Sequence, residues 1–351
     1  MLIDKDSLTE FARQIFISLG TEEDRAQEIA DHLVEANLKG HDSHGVGMIP
    51  SYVRSALHDI LQINADAELI LDKGAVLLVD GNLGFGQVVG RQATDLGIDR
   101  VRDTGIVCVG SRNNYHLGRI GTYGERCARA GLVSIHFVNV VGHPPNVSPW
   151  GGRDARMLTN PFCCVVPTAT DPIVLDMATS AIAYGKVRVA GLKGVPVPDD
   201  CLFDAEGMPS NDPGVMNSGG TLGPFGKHKG YGLALMCELL GGGLAGEWTI
   251  QDVERHKSPT VNHMMMIIID PALFGGLERF QREVQGMSDW LHASKPAKGF
   301  DKVRLPGEPE RESMAERLAN GIRIDDQSWE TITQSAQLAG VSKADIAVLT
   351  A

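Results

Sequence analysis

Residues 40–50 read GHDSHGVGMIP, and neither a helical nor a strand period of apolar residues can be written through them. His41, Asp42, Ser43 and His44 stand in a row between Gly40 and Gly45. Histidine has an unperturbed pKa near 6.5, so it gives and takes protons close to neutrality, and proton transfer is the first chemistry such a loop offers. Metal ligation is the rival, because His41 and His44 in H-x-x-H spacing beside Asp42 are adequate donors for zinc. The H-E-x-x-H pattern is absent and no third ligand stands at a recognised spacing, so no metal is expected and turnover should survive exhaustive chelation.

A second histidine sits in SRNNYHLGRIGTYGE (111–125), where His116 follows a short apolar strand and a polar turn. Gly118, Arg119, Ile120 and Gly121 then open a helix whose free N–H groups and positive dipole end suit a phosphate. In PIVLDMATSAIAYGK (172–186), Asp176 ends an apolar strand; it reads either as N-cap of the next helix or as acceptor for ligand hydroxyls. GPFGKHKGYG (223–232) sets Lys227, His228 and Lys229 among glycines before an apolar helix, a further anion site without the residue order of a P-loop. VRLPGEPE (303–310) is a proline-kinked connector, or a segment whose amides and Glu308 hold a nucleotide.

One glycine pattern tempts and fails. Gly84, Gly86 and Gly90 follow the strand VLLVD as a dinucleotide fingerprint would, but the next strand ends in Ser111, Arg112 and Asn113 instead of the acid that holds a ribose hydroxyl. A structural turn is the better reading.

These loops need a scaffold. Leu8, Phe11, Ala12, Ile15, Phe16 and Leu19 mark one helix face and Ala26, Ile29, Ala30, Leu33, Val34 and Leu38 another, with Ser7 and Thr21 as N-caps and Gly40 ending the second helix. From about residue 74 the texture turns to β-rich runs punctuated by glycine, with helices over 86–104 and 119–130, a buried helix over 229–246 and a buried strand over 260–271. After residue 308 the chain is charged and helical again. The division expected is a helical domain from 1–73 with 309–351, and an α/β domain over 74–308.

At 351 residues and 43% hydrophobic composition the chain can bury a large core. Its formal charge of -12 disfavours nucleic acid and anionic membrane surfaces, leaving a small molecule or another subunit as partner. Six cysteines without a C-x-x-C pair suit a reducing cytoplasm, and neither a signal peptide nor a long uncharged apolar run is legible.

Taken together and in order, GHDSHG, HLGRIG, LTNPF, VLDMATSAIAYGK, HKGYGLAL and LPGE resemble the type-2 malate/L-lactate dehydrogenase family over nearly the whole chain. The resemblance implies a mixed-sheet, non-Rossmann dinucleotide fold, NAD- or NADP-dependent hydride transfer on 2-oxo or 2-hydroxy acids, no metal, and a homodimer. It implies that His116 is the acid/base and that His44, with Ser43 beside it, orients substrate and nicotinamide. Contacts to the dinucleotide are implied for His44, Gly118, Arg119, Ile120, Val174, Leu175, Asp176, Met177, Ala178, His228, Asn262, Leu305, Pro306, Gly307 and Glu308. Many relatives carry arginine where this chain has Met48, so the substrate carboxylate needs another cation: Arg119, Lys186 or Arg188. A bulkier 2-oxo acid fits that exchange. The alternatives are a cyclic imine such as a piperideine or pyrroline carboxylate as hydride acceptor, and a dinucleotide binder without turnover, which would have no use for two titratable histidines in glycine loops.

Overall fold

The computed structural model describes residues 1–257 and 259–349. The chain runs β1 (Leu2–Ile3), α1 (Lys5–Ser18), α2 (Glu23–Leu38), α3 (Ile49–Leu57), β2 (Glu68–Lys73), β3 (Val76–Asp80), α4 (Gly86–Thr104), β4 (Ile106–Tyr115), α5 (Gly121–Arg129), β5 (Val133–Val141), β6 (Phe162–Val166) and β7 (Ile173–Met177). It continues with α6 (Tyr184–Lys193), β8 (Leu202–Phe203), β9 (Pro209–Ser210), β10 (Thr221–Leu222), α7 (His228–Cys237), β11 (Val261–Ile269), α8 (Leu277–His292), α9 (Glu308–Asn320), β12 (Ile322–Arg323), α10 (Asp326–Leu338) and α11 (Lys343–Leu349).

Seven strands form the main sheet in the order β2-β3-β4-β11-β5-β6-β7. Among the described residues only β3 and β4 run parallel; the other neighbours are antiparallel. A doubly wound nucleotide fold has a mostly parallel sheet, so this is a mixed α/β architecture of another kind. β11, the run of methionines and isoleucines, lies at its centre between β4 and β5, as its unbroken apolar texture requires. The outer strand β2 precedes residue 74, so the sheet begins earlier in the chain than the sequence texture indicates.

One core joins Leu8, Phe11, Ile29 and Leu33 of the first helices to Ile322, Ile332, Ala336 and Ile346 near the chain's end, and reaches Phe85, Val88 and Tyr115 at the rim of the sheet. β1 pairs with β12 and closes the same layer. A second core, with Val107, Val109, Met264, Met266 and Ile268, lies under α4 and α5.

Three local expectations change. The cap of α1 is Asp4, whose carboxylate accepts from the N–H groups of both Asp6 and Ser7; Ser7 is therefore inside the first turn. Thr21 caps nothing, for its hydroxyl is buried without a partner and α2 starts at Glu23. The segment 229–246 is not buried all round: α7 runs on as a π-helix (Glu238–Ala245), and Met236 of α7 with Leu239 and Leu244 of the π-helix are exposed.

The failed glycine fingerprint has a packing explanation. A Cβ on Gly86 would lie 2.2 Å from the carbonyl oxygen of His116, one on Gly90 2.8 Å from Tyr123, and one on Gly84 2.9 Å from Val89. Gly86 and Gly90 let α4 press against the chain that carries His116, and Gly84 lets the turn before α4 close on Val89. Gly86→Ala should therefore destabilise the protein by about 1–3 kcal/mol or more, as overpacking does. Gly286→Ala is the comparison within one chain: apart from its own helix backbone and chain neighbours, no atom of this chain lies within 4 Å of the added carbon, and alanine should favour α8 by up to about 1 kcal/mol. Urea unfolding of the two variants checks this; a Gly86→Ala protein as stable as wild type would refute the packing account.

Candidate active site

His44 ends a short 3₁₀ turn (Asp42–His44) just beyond α2, where Gly40 takes the left-handed conformation that turns the chain out of the helix. Two clamps fix this loop. Asp42 accepts hydrogen bonds from Asn37 Nδ2 (2.7 Å) and from both terminal nitrogens of Arg317 on α9 (2.6 and 3.1 Å). Asn37 Oδ1 in turn accepts from the N–H of Val46 at 2.8 Å. A bidentate pair between residues so far apart in sequence gives the loop one register.

His116 arrives from the other side, at the end of β4. Ahead of it the β4–β11 register slips by one residue, with Asn113 left-handed (φ 51°) and its N–H donating to His263 Nδ1 at 3.1 Å. Such a bulge re-aims the residues that follow it. Asn262 then supports the turn from below: its Oδ1 accepts from Leu117 N–H (2.9 Å) and its Nδ2 donates to Asn139 O (3.0 Å). The Tyr123 hydroxyl reaches the carbonyl oxygens of both Gly86 and Leu117.

The two imidazoles meet. Their centroids lie 5.3 Å apart with planes 16° from parallel. His116 Nδ1 is 2.7 Å from the Tyr52 hydroxyl of α3, which also accepts from Gln87 Nε2 at 2.8 Å. His44 Nδ1 is buried without a partner. Burial lowers the pKa of His44 to about 4, against the pull of Asp176, and lowers that of His116 well below its ordinary value, with His44 and His32 adding to the effect. Both rings are uncharged at neutral pH.

Below them lies a buried ion cluster. Arg119 donates to Glu125 at 2.9 Å and its Nε stands 3.7 Å from Asp176; Lys39 bridges Glu125 and Glu35. Burial opposes charge on Glu125, but Arg119 and Lys39 outweigh it and hold the carboxyl below its ordinary pKa. Arg119 Nε and Nη1 remain buried without hydrogen-bond partners. Asp176 caps α5, accepting from Gly121 N–H at 2.7 Å, and not the helix that follows it in sequence, because β7 ends against the start of α5.

The segments singled out in the sequence largely converge. Val174 N–H donates to Pro306 O at 3.0 Å, which joins 174–178 to 305–308, and Asp176 joins them to 118–121. Gly307 (φ 96°) packs against Val174, Leu305 is buried, and Glu308 accepts from Leu305 N–H. Leu175 is partly exposed, and Met177 pairs with Phe162 in the sheet, leading into Ala178. Ser43 lies against α6, where a Cβ on Gly185 would come within 3.6 Å of it. His228 stands apart as an exposed residue at the start of α7, tied in through Phe225 N–H to Thr179 O. Asn262 spends both ends of its amide on backbone, so it supports the His116 turn. His41 goes to Glu310 (3.4 Å), Asp42 to Arg317 and His44 to His116, and the three do not converge as ligands. Among the described residues no group of three or more His, Cys, Asp or Glu side chains could hold a metal ion.

Sequence reasoning missed Tyr52, Gln87, Lys39, Glu125 and Arg317. Tyr52 carried the only available signal, a tyrosine eight residues after His44 on the helix that follows the loop.

The burial has a measurable consequence. His32 is depressed to about 3, and His44, His136 and His263 to about 4. Above pH 6.5 these histidines are neutral folded or unfolded; below it the unfolded chain binds protons that the fold refuses, so stability falls as pH drops from 6.5 toward 4. A one-unit shift is about 1.4 kcal/mol. His136→Leu, in β5, should flatten the pH slope of urea-unfolding free energy by up to one histidine's share; an unchanged slope would contradict it.

Residues 3–333 match the model of a family described as malate/L-lactate dehydrogenase. The chain is 47% identical to hydroxycarboxylate dehydrogenase B of Escherichia coli (strain K12), over 96% of this chain and 94% of that one. It is 39% identical to an L-lactate dehydrogenase of Cupriavidus necator, over 97% of this chain and 99% of that one. A solved structure of an E. coli malate/lactate dehydrogenase superposes with a TM-score of 0.93 at 44% identity, covering 99% of this chain and 98% of that one.

Proposed function

Because this chain belongs to the malate/L-lactate dehydrogenase family, we propose that it is an oxidoreductase moving a hydride between a nicotinamide dinucleotide, NAD or NADP, and C2 of a 2-hydroxy or 2-oxo carboxylic acid. The observation that carries this reading is the stacked, uncharged pair His44 and His116 at the junction of the two layers.

The donor set fits the dinucleotide. His44 Nδ1 is a buried polar atom without a partner, and the joined segments 118–120, 174–178 and 305–308 supply backbone at one place. His44 is assigned to the same site, and His228 and Asn262 to its edge and its support. When bound, the nicotinamide supplies or takes the hydride. In oxidation, uncharged His116 accepts the substrate hydroxyl proton on Nε2 as C2 gives up its hydride; in reduction, the same nitrogen returns a proton to the forming alkoxide. An anionic substrate beside the ring raises its pKa toward the range where both directions run. His44 and Ser43 orient the carbonyl.

Among the three candidate cations, Arg119 is committed to Glu125 and Asp176, which leaves Lys186 and Arg188. Lys186 follows the residue that faces Ser43 and is exposed. It is assigned to the substrate carboxylate, with Met48 packed partly against the helical core. The six unpaired cysteines support a reducing, cytoplasmic location.

Oxidation of NADH and of NADPH against a panel of 2-oxo acids and cyclic imino acids tests the reading. His116→Ala should lose about 10²–10⁴-fold in kcat with nearly unchanged dinucleotide affinity. His44→Ala should raise KM as well as lower kcat, and Lys186→Ala should raise KM for the acid. Near-normal kcat in His116→Ala from pH 6 to 9, with chemistry rate-limiting, would hand the acid/base role to His44; turnover of imines alone would replace the substrate class.

A homodimer completes the proposal. Met236, Leu239 and Leu244 are 41%, 47% and 67% exposed, and α8 buries no residue while presenting Met287 and Trp290. Apolar faces of this kind are covered by partners in stable proteins. Light scattering should give twice the chain mass, and Leu244→Glu should shift it toward the single chain; wild-type protein with the mass of one chain would contradict the assignment.

A further inference from the structure

Tyr52 has one proton and two polar neighbours. Its ring is packed among Phe16, Phe85 and Tyr115, and the Tyr115 hydroxyl is spent on Ser55 Oγ at 2.9 Å. That leaves the Gln87 amide at 2.8 Å and His116 Nδ1 at 2.7 Å. Burial pushes the phenol's pKa up, so it stays protonated. Gln87 is 1% exposed in the first turn of α4, and its Oε1 is buried with no partner.

The three groups form a chain whose direction is set at one end. With Gln87 Nε2 donating to the phenol oxygen, Tyr52 must give its proton to His116 Nδ1, and neutral His116 then carries its hydrogen on Nε2. In that tautomer Nε2 has no lone pair to accept a substrate proton. A half-turn of the amide brings the orphaned Oε1 to the phenol; Tyr52 then donates to Gln87, its oxygen accepts from His116 Nδ1–H, and the Nε2 lone pair is free. The protonated ring also needs an acceptor at Nδ1, so both working states of His116 require this second direction.

We propose that Gln87 is a positioning residue that selects, through Tyr52, which nitrogen of His116 carries the proton. The proposal rests on the acid/base assignment of His116. Glutamine suits the position because one buried side chain offers both a donor end and an acceptor end. The titratable groups facing His116 are Tyr52 from α3, His44 from the loop after α2, His32 from α2 and His143 beyond β5; of these, Tyr52 is hydrogen-bonded to the Gln87 amide.

The test is the pH profile of kcat/KM for 2-hydroxy acid oxidation. Gln87→Leu removes the acceptor for the phenol proton, traps the unproductive tautomer and should cost about 10–10²-fold in kcat/KM. Adding Tyr52→Phe to Gln87→Leu removes the trapping proton, so the double variant should be more active than Gln87→Leu alone. A merely structural role would leave the double variant no more active than Gln87→Leu alone, because removing a second packed group restores nothing. Gln87→Glu, nearly isosteric, keeps an acceptor and should move the basic group's limb upward by at least half a pH unit; it keeps the proposal testable if the leucine variant fails to fold. A double variant no better than Gln87→Leu, or a Gln87→Glu limb superimposed on wild type, overturns the proposal. His116→Ala run in parallel separates the failures: if it retains activity, the acid/base assignment falls; if it is inactive while the Gln87 variants behave as wild type, only this inference falls.

Discussion

The rest of the structure depends on one contact, the stacking of two uncharged imidazoles that come from opposite layers. Burying His44 and His116 together keeps both rings neutral in the resting protein, because burial disfavours charge on either and two imidazolium ions at 5.3 Å would repel. Neutral rings are also the ones able to take a proton, so the condition for packing and the condition for the proposed acid/base chemistry coincide. Each side of the contact then has its own brace. Arg317, Asp42 and Asn37 hold the His44 loop to α9 and α2, and Gly86, Tyr123 and Asn262 hold the His116 turn to α4, α5 and β11.

The ion cluster under the pair serves the same end. Removing one partner from a buried pair leaves an uncompensated charge and costs about 3–5 kcal/mol. Lys39, Glu35, Glu125, Arg119 and Asp176 avoid this by sharing, and the cluster ties α2, α5 and β7 into one base. The fold is sensitive to acid around the site, because several of the histidines that refuse protons line it.

Much of this was legible in the sequence because chemistry had displaced ordinary pattern. A loop with two histidines among glycines, a histidine at a strand end and an unbroken apolar strand each contradict a bland reading locally. The failed fingerprint was legible in the same way, since the missing strand-end acid argued for packing before the close approach of Gly86 to His116 was visible. What stayed hidden are partners distant in the chain. Asp42 with Arg317 and Lys39 with Glu125 give no local signal, and Gln87 reads as a polar residue on an amphipathic helix. The caps were misjudged because Asp4 satisfies two N–H groups where Ser7 would satisfy one. The helix 229–246 was misjudged because composition reports apolarity without saying which molecule covers it.

The most direct measurement is a crystal structure with reduced dinucleotide and an unreactive 2-oxo acid analogue such as oxamate. The account predicts the oxygen that stands for the C2 carbonyl within about 2.6–3.2 Å of His116 Nε2, with the dinucleotide along 118–120, 174–178 and 305–308. An analogue whose oxygen lies on His44 with His116 out of reach, or a pyrophosphate seated on Gly84 to Gly90, would contradict it.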